Sequence, residues 1–172
     1  MKTRVILLLT AFALPVLAQQ KEAPPLAPAP LEDALWASLV GEWTGWSEDV
    51  RGRSEVKLEV EWELQKQFIK TKAESKNPNG IYKIAGYATK DAQSGAISSV
   101  WFDSFRGVYR GSETRSGNAF TLKLEGPSTI ERTFELVGND KLVGSYKIVR
   151  PSGEVIEGKS ELLRKVKAQK KS

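Results

Sequence analysis

The sequence predicts an all-β protein: a single antiparallel up-and-down barrel of about ten strands, preceded by a short helix. The first observation is a strict alternation over residues 55–64, which is typical of a strand buried on one face only. The apolar face of this segment carries Val56, Leu58, Val60, Trp62 and Leu64, and glutamate or lysine occupies every position between them. The second observation is that strand-like runs and turn signals alternate from there to the end of the chain. Closure of such a meander into a barrel is the simplest way to remove its two exposed edges.

The helix is predicted immediately before the first strand. Pro30 stands near its first turn, and Glu32 and Asp33 lie at the positive end of the helix dipole. Apolar side chains recur near helical spacing at Leu31, Leu35, Trp36 and Leu39. We therefore expect one or two turns that lie with their apolar side on the barrel and end at Gly41.

The predicted strands are 42–49, 54–65, 68–73, 81–88, 96–104, 107–114, 119–125, 130–137, 141–149 and 155–163. The sequence Asn77-Pro78-Asn79-Gly80 is a strong turn signal, and Gly138-Asn139-Asp140 is typical of a tight hairpin.

The first 18 residues resemble a secretory signal. Lys2 and Arg4 precede an apolar run that Pro15 interrupts, and Val16 and Ala18 suit signal peptidase cleavage after Ala18. The run is shorter than the roughly 20 residues that span a bilayer, so we expect no integral membrane segment in the mature chain. We therefore expect a secreted or periplasmic protein.

The remaining chain divides into three parts. Residues 19–30 form a Pro/Ala-rich segment that we expect to be disordered, residues 31–166 form the barrel domain, and residues 167–172 form a basic disordered tail. Without the two cations of the first 18 residues and the five in the last ten, 19 basic residues face 21 acidic ones. The positive charge is thus a property of the tail, which could make weak contact with an anionic surface. No nucleic-acid-binding motif is present in the sequence, so we expect no nucleic-acid partner.

Several short motifs resemble a known family. Leu39-Val40-Gly41-x-Trp43-x-Gly45 looks like the glycine–tryptophan signature on the first strand of lipocalin-like barrels. Gly86-Tyr87, Trp101-Phe102-Asp103-Ser104 and Leu162-Leu163-Arg164-Lys165 resemble an exported bacterial lipocalin-like group known only as a domain of unknown function. The resemblance implies a structural pair at the closed end of the barrel, with Arg164 of the last strand over Trp43.

The same resemblance raises the question of whether the protein binds a cofactor. A neighbouring group, the nitrobindin type, binds haem through a histidine, whereas this chain has no histidine and no cysteine. Haem and zinc both rely mainly on ligands that are missing here, so we expect no cofactor and no metal.

One charged side chain breaks the apolar inward face of the eighth strand. Arg132 shares that face with Ile130 and Phe134, and a charge inside a barrel costs several kcal/mol unless it is paired. In the functional interpretation Arg132 recognises an anionic or carbonyl group of a ligand and Asp103 orients it. The walls of this candidate site are Trp62, Trp101 and Tyr146. In the structural interpretation Arg132 and Asp103 form a buried strut, or Arg132 reaches solvent at the barrel mouth.

Three functions remain open from the sequence. The first is binding of a small ligand, mostly apolar or amphipathic, inside the barrel. The second is a structural or interaction role in the cell envelope, with a filled barrel and the basic tail as its contact. The third is a barrel-interior enzyme of the isomerase or decarboxylase type, for which no catalytic residues can be named from the sequence.

Overall fold

The computed structural model describes residues 28–166. The predicted signal, the first part of the Pro/Ala-rich segment and the basic tail 167–172 lie outside the described residues. Residues 28–31 run along the second hairpin turn of the barrel: Gln67 Nε2 donates to the carbonyls of Pro28 and Ala29, and Leu31 N–H donates to the Lys66 carbonyl. No helix within residues 28–166 has the length and apolar character needed to cross a membrane.

Helix α1 spans Ala34–Leu39 and is shorter than the predicted segment. Asp33 is its N-cap, and the carboxylate accepts a hydrogen bond from the backbone N–H of Trp36 at 2.9 Å. Trp36 and Leu39 are buried against the barrel. The helix therefore begins at a cap rather than at Leu31, because the Asp33 side chain satisfies a backbone donor of the first turn.

Ten antiparallel strands follow. They are β1 (Gly41–Asp49), β2 (Gly52–Glu63), β3 (Phe68–Asn77), β4 (Gly80–Lys90), β5 (Ile97–Asp103), β6 (Val108–Ser116), β7 (Ala119–Glu125), β8 (Thr129–Val137), β9 (Lys141–Val149) and β10 (Val155–Arg164). Each strand pairs with the next, and β10 pairs with β1, with Trp43 opposite Arg164 and Asp49 opposite Gly158. The predicted closed up-and-down barrel is confirmed.

The side chains alternate between barrel interior and solvent as the period of two requires. On β2, Val56 and Val60 are buried, whereas the intervening Lys57 and Glu59 are exposed. The main cluster of buried apolar residues joins α1 to the barrel end beneath it, through Trp36, Leu39, Trp43, Val60, Ile69, Ala88, Leu136, Leu142 and Leu162 among others. Helix α1 therefore closes one end of the barrel.

The sequence-based boundaries need correction around the β2–β3 turn. Leu64 does not extend the inward face of β2: it has a φ of 49° and its side chain is 65% exposed. Gln65 and Lys66 are also left-handed, with φ of 58° and 62°, so β2 ends at Glu63 and the turn begins one residue later. Strand β3 runs to Asn77 rather than to residue 73, because residues 74–76 pair with β2 and residues 74–77 pair with β4.

Candidate ligand-binding cavity

The barrel encloses a cavity of about 880 Å³. It extends from Trp36 and Leu39 of α1 to the turns at the opposite end, where Asn79, Phe105 and Arg150 form part of its rim. Most of its wall is apolar, with contributions from Leu58, Val60, Ile69, Ile84, Leu122, Leu124, Ile130, Phe134, Leu142, Ile148 and Ile156. This interior is not filled by the protein's own side chains.

At the closed end, Arg164 fastens α1 to the barrel. Its guanidinium lies 4.1 Å from the centroid of the Trp43 ring, and Trp43 itself is fully buried. Arg164 Nη1 donates to the carbonyl of Val40 at 2.7 Å, Nη2 donates to the carbonyl of Ser38, and Nε donates to the carbonyl of Asn139 at 2.7 Å. These contacts satisfy carbonyls at the C-terminal end of α1, so the pair has a structural role and stands away from the mouth of the cavity.

A second set of charges holds the N-terminus of α1. The side chain of Asp33 is only 3% exposed. Its Oδ1 and Oδ2 each accept a hydrogen bond from Arg115 Nη1, at 2.8 and 2.7 Å. Arg115 Nε also donates to Glu113 at 2.6 Å, and its guanidinium lies 5.1 Å from the Trp36 ring. Burial raises the pKa of Glu113, although the hydrogen bond from Arg115 opposes this. Sequence reasoning missed these inward charges, although Glu113 and Arg115 share the parity of the inward-facing Tyr109.

Near the mouth, Asp103 at the end of β5 collects four hydrogen bonds. Its Oδ1 accepts from the backbone N–H groups of Phe105 and Gly107 at 2.9 and 2.7 Å. Its Oδ2 accepts from the hydroxyls of Tyr109 and Tyr82 at 3.0 and 3.4 Å. Burial raises the pKa of Tyr82. Burial and the hydrogen bond to Asp103 raise the pKa of Tyr109 to about 12. Both hydroxyls therefore stay protonated and act as donors.

Asp49 forms a similar site on the other side of the mouth. Its carboxylate accepts from the Tyr146 hydroxyl at 2.8 Å and pairs with Arg51 at 2.6 Å. Hydrogen bonds from Arg51 hold the pKa of Asp49 at about 2, against the opposing effect of burial. The Tyr146 ring lies across β10 at Gly158, where a Cβ atom would come within 2.4 Å of it. Glycine at position 158 is thus required for the tyrosine to reach Asp49.

Arg132 lies inside the barrel and lines the cavity. Its guanidinium is 5.0 Å from the Tyr146 ring centroid and 6.0 Å from that of Phe134. It forms no hydrogen bond or ion pair with any described residue, so the pairing expected with Asp103 is not formed. The reason is that Asp103 is already occupied by two tyrosines and two backbone groups. Burial lowers the pKa of Arg132, and the nearby Tyr82 and Tyr146 oppose this.

The two tryptophans expected in the wall have different positions. Trp101 lines the cavity, and its Nε1 donates to Ser99 Oγ at 2.9 Å. Trp62 instead packs edge-on against Trp36 of α1, with ring centroids 6.0 Å apart, and is not part of the cavity lining. The helix covers this end of β2, which the strand pattern alone did not indicate.

Sequence reasoning also missed three polar residues of the mouth: Tyr82, Tyr109 and Asp49. Tyr82 shares inward parity with Ile84 and Ala88 on β4, which is the signal that could have found it, whereas Tyr109 has no apolar side chain of the same parity on β6. Asp49 carried no such signal, because it stands at a strand end where an exposed acid is common. Within residues 28–166, no cluster of three or more histidine, cysteine, aspartate or glutamate side chains could hold a metal ion.

Similar solved structures share this architecture. The S-type phycobiliprotein lyase CPES from Guillardia theta matches with a TM-score of 0.56 and 12% identity, over 77% of this chain and 92% of that one. The protein Rv2717c from M. tuberculosis matches with a TM-score of 0.59 and 17% identity, over 83% and 100%. The fold is that of a lipocalin-like barrel.

This likeness concerns the lipocalin-like fold alone, because the identities are low. An odorant-binding protein from bovine nasal mucosa matches more distantly, at a TM-score of 0.45 and 12% identity over 81% of this chain and 78% of that one. A scan against models of protein families finds no match, and a search of curated proteins finds no significant one.

Proposed function

We propose that this lipocalin-like barrel binds a small, mostly apolar ligand in its interior. The observation that carries the proposal is the cavity of about 880 Å³, which lies within the size range of ligand sites and has a mainly apolar wall with a few polar groups near its mouth. A filled barrel acting only as an envelope scaffold is less well supported, because the space between α1 and the mouth is not taken up by side chains.

A neutral apolar fluorophore tests this proposal. N-phenyl-1-naphthylamine should bind the purified protein with an increase in fluorescence, because the cavity excludes bulk water from most of its wall. Ala73 lines the cavity on β3, so Ala73→Trp should fill part of it and weaken binding of the fluorophore.

The matched control is Ala85→Trp on the neighbouring strand β4. Ala85 alternates with the inward Ile84 and Gly86 and is no part of the cavity lining, so this variant should bind like the unmodified protein. No binding to the unmodified protein, or equal loss in both variants, would contradict the proposal.

We also propose that the protein belongs to the exported lipocalin-like group that its motifs resemble and that it works in the periplasm or outside the cell. Support comes from the charged start, the apolar run and the small residues before the cleavage position after Ala18. Intact-mass measurement of the protein recovered from its own host tests the export proposal. A mass corresponding to a chain that begins at Gln19 is expected, and a chain retaining residues 1–18 would contradict it.

We also propose that the basic tail, residues 167–172, makes loose contact with an anionic surface. Lys167, Lys170 and Lys171 follow the end of β10 without an acidic residue among them, a pattern that favours loose contact with an anionic surface. Sedimentation with vesicles containing anionic lipid should show weak binding that salt abolishes. A chain ending at Val166 should no longer bind, and unchanged binding by that chain would remove the tail from consideration.

A further inference from the structure

The interior of the barrel holds a cation with no anionic partner. Arg132 projects from β8 between Ile130 and Phe134, lines the cavity, and forms neither a hydrogen bond nor an ion pair with any described residue. Its contacts with the ring faces of Tyr146 and Phe134, at 5.0 and 6.0 Å, supply only the weak attraction of a cation for an aromatic ring. The five N–H donors of this guanidinium therefore remain unused by the protein.

Asp49 and Asp103, two carboxylates that line the cavity near its mouth, have other partners. Asp103 accepts four hydrogen bonds from its own turn and from Tyr82 and Tyr109. Asp49 is held by Arg51 at 2.6 Å and by the Tyr146 hydroxyl. Neither carboxylate lies within ion-pair distance of Arg132. Asp49 and Asp103 are thus satisfied by neutral hydroxyls, backbone groups and a half-exposed arginine, and Arg132 is left open to the cavity.

The position of Arg132 divides the cavity into two chemically different halves. On the mouth side lie the polar groups of Tyr82, Tyr109 and Asp103. On the side of α1 the wall is mainly apolar, with Leu39 and Leu142 among its residues, and its one acid, Glu113, is paired with Arg115. A ligand that fits both halves has an acidic head at the level of Arg132 and an apolar chain that extends toward the helix.

Building on the proposed ligand-binding function, we propose that Arg132 is an anion-binding residue and that the ligand is an amphipathic monoanion, namely a carboxylate with an apolar chain. The planar fork of a guanidinium matches the two oxygens of a carboxylate, and the pair is strong where water is excluded. A buried cation is costly unless an anion accompanies it, so the ligand supplies the charge that the protein lacks.

The test compares two ligands of matched chain length, decanoate and decanol, by calorimetric titration below their critical micelle concentrations. The unmodified protein should bind decanoate at least tenfold more tightly than decanol. Arg132→Met should remove this preference by weakening decanoate binding, while decanol and the neutral fluorophore bind as before. The matched control is Arg110→Met, which removes an exposed arginine on the outer face of β6 and should change nothing.

Arg132→Lys extends the test, because it keeps the charge and loses the fork; it should retain part of the decanoate preference. Thermal unfolding of the ligand-free variants gives a second readout: Arg132→Met should leave Tm unchanged or raise it, since it removes an unpaired buried charge. If Arg132→Met fails to fold, the decanoate–decanol comparison on the unmodified protein and the Arg132→Lys variant decide the matter.

The outcomes separate the two proposals. Binding of the neutral fluorophore without any preference for decanoate would overturn the anion site and leave the ligand-binding function intact. A lower Tm in Arg132→Met with the decanoate preference retained would assign Arg132 a structural role and likewise overturn it. Binding of none of the three compounds would refute the ligand-binding function itself.

Discussion

Arg115 Nη1 donates to both carboxylate oxygens of Asp33, at 2.8 and 2.7 Å, and so joins β6 to the N-cap of the helix that closes the barrel. The same carboxylate caps α1 through the backbone N–H of Trp36. Burial of Asp33 would by itself raise its pKa, but the Trp36 and Arg115 hydrogen bonds outweigh this and hold the pKa below its ordinary value. A six-residue helix is too short to be stable alone, so these contacts account for its fixed position.

Two substitutions at Asp33 should separate the cap from the ion pair. Asn retains the capping oxygen and removes the charge, whereas Ala removes both; we expect losses of about 1–2 kcal/mol for Asp33→Asn and about 1 kcal/mol more for Asp33→Ala. Urea unfolding followed by tryptophan fluorescence measures the difference. Glu32→Gln, at the exposed neighbouring position, is the control and should have little effect. Equal stability of both Asp33 variants and the unmodified protein would show that α1 does not depend on this residue.

The Asp49 site should make the free energy of unfolding depend on pH in the acidic range. Its pKa is about 2 in the folded protein, below the ordinary value of 3.8, because Arg51 and Tyr146 donate to the ionised form. A depressed folded-state pKa stabilises the fold above the unfolded-state pKa, and the stabilisation is lost as the pH falls from about 4 through about 2. With Arg51 half in solvent, we expect about 1–2 kcal/mol at pH 7.

The measurement is the free energy of unfolding of Asp49→Asn and of the unmodified protein between pH 2 and pH 7. The difference between them should be largest at pH 7 and should shrink toward zero near pH 2. Asp140→Asn serves as the control, since Asp140 is exposed in a turn and its carboxylate accepts no hydrogen bond from the described residues. A constant difference across this pH range would disprove the assignment.

Arg164 should contribute more to stability than its position near the chain surface indicates. Arg164→Lys keeps a positive charge but loses the planar contact with Trp43 and the fork that reaches three carbonyls, so we expect a loss of about 2–3 kcal/mol. Chemical denaturation measures it. Lys165→Met is the neighbouring control: it removes an exposed ion pair with Glu42 and should change stability much less. Similar effects of the two substitutions would argue against the stacking.

Gly86 makes room for Trp101. An added Cβ atom would stand 2.2 Å from the indole ring, so Gly86→Ala should displace Trp101 toward the cavity and cost about 1–3 kcal/mol. Near-ultraviolet circular dichroism should report the displaced indole, and thermal unfolding should report the loss of stability. Ala85→Val, on the outer face of the same strand, is the control. An unchanged spectrum in Gly86→Ala would show that the tryptophan does not need this glycine.

The alternation of apolar and charged residues predicted most of the fold. Val56 and Val60 face inward because burial of one strand face drives sheet closure, and this period is visible in the chain itself. The pattern also indicated that Arg132 faces inward. It failed at Leu64, where the backbone turns to left-handed φ before the apolar alternation ends, and at Trp62, which packs under a helix whose exact position no strand pattern contains.

The amino-acid sequence by itself determined the number of strands, their neighbours and the inward position of a single arginine among apolar side chains, because these follow from local periodicity and turn chemistry. Only the tertiary structure decided that the arginine has no partner. Tyr82, Tyr109 and Asp103 come from three different strands, and Tyr146 reaches Asp49 from a fourth across β10. Which acid meets which donor depends on the register and curvature of the closed barrel, and those are fixed only when all ten strands have paired.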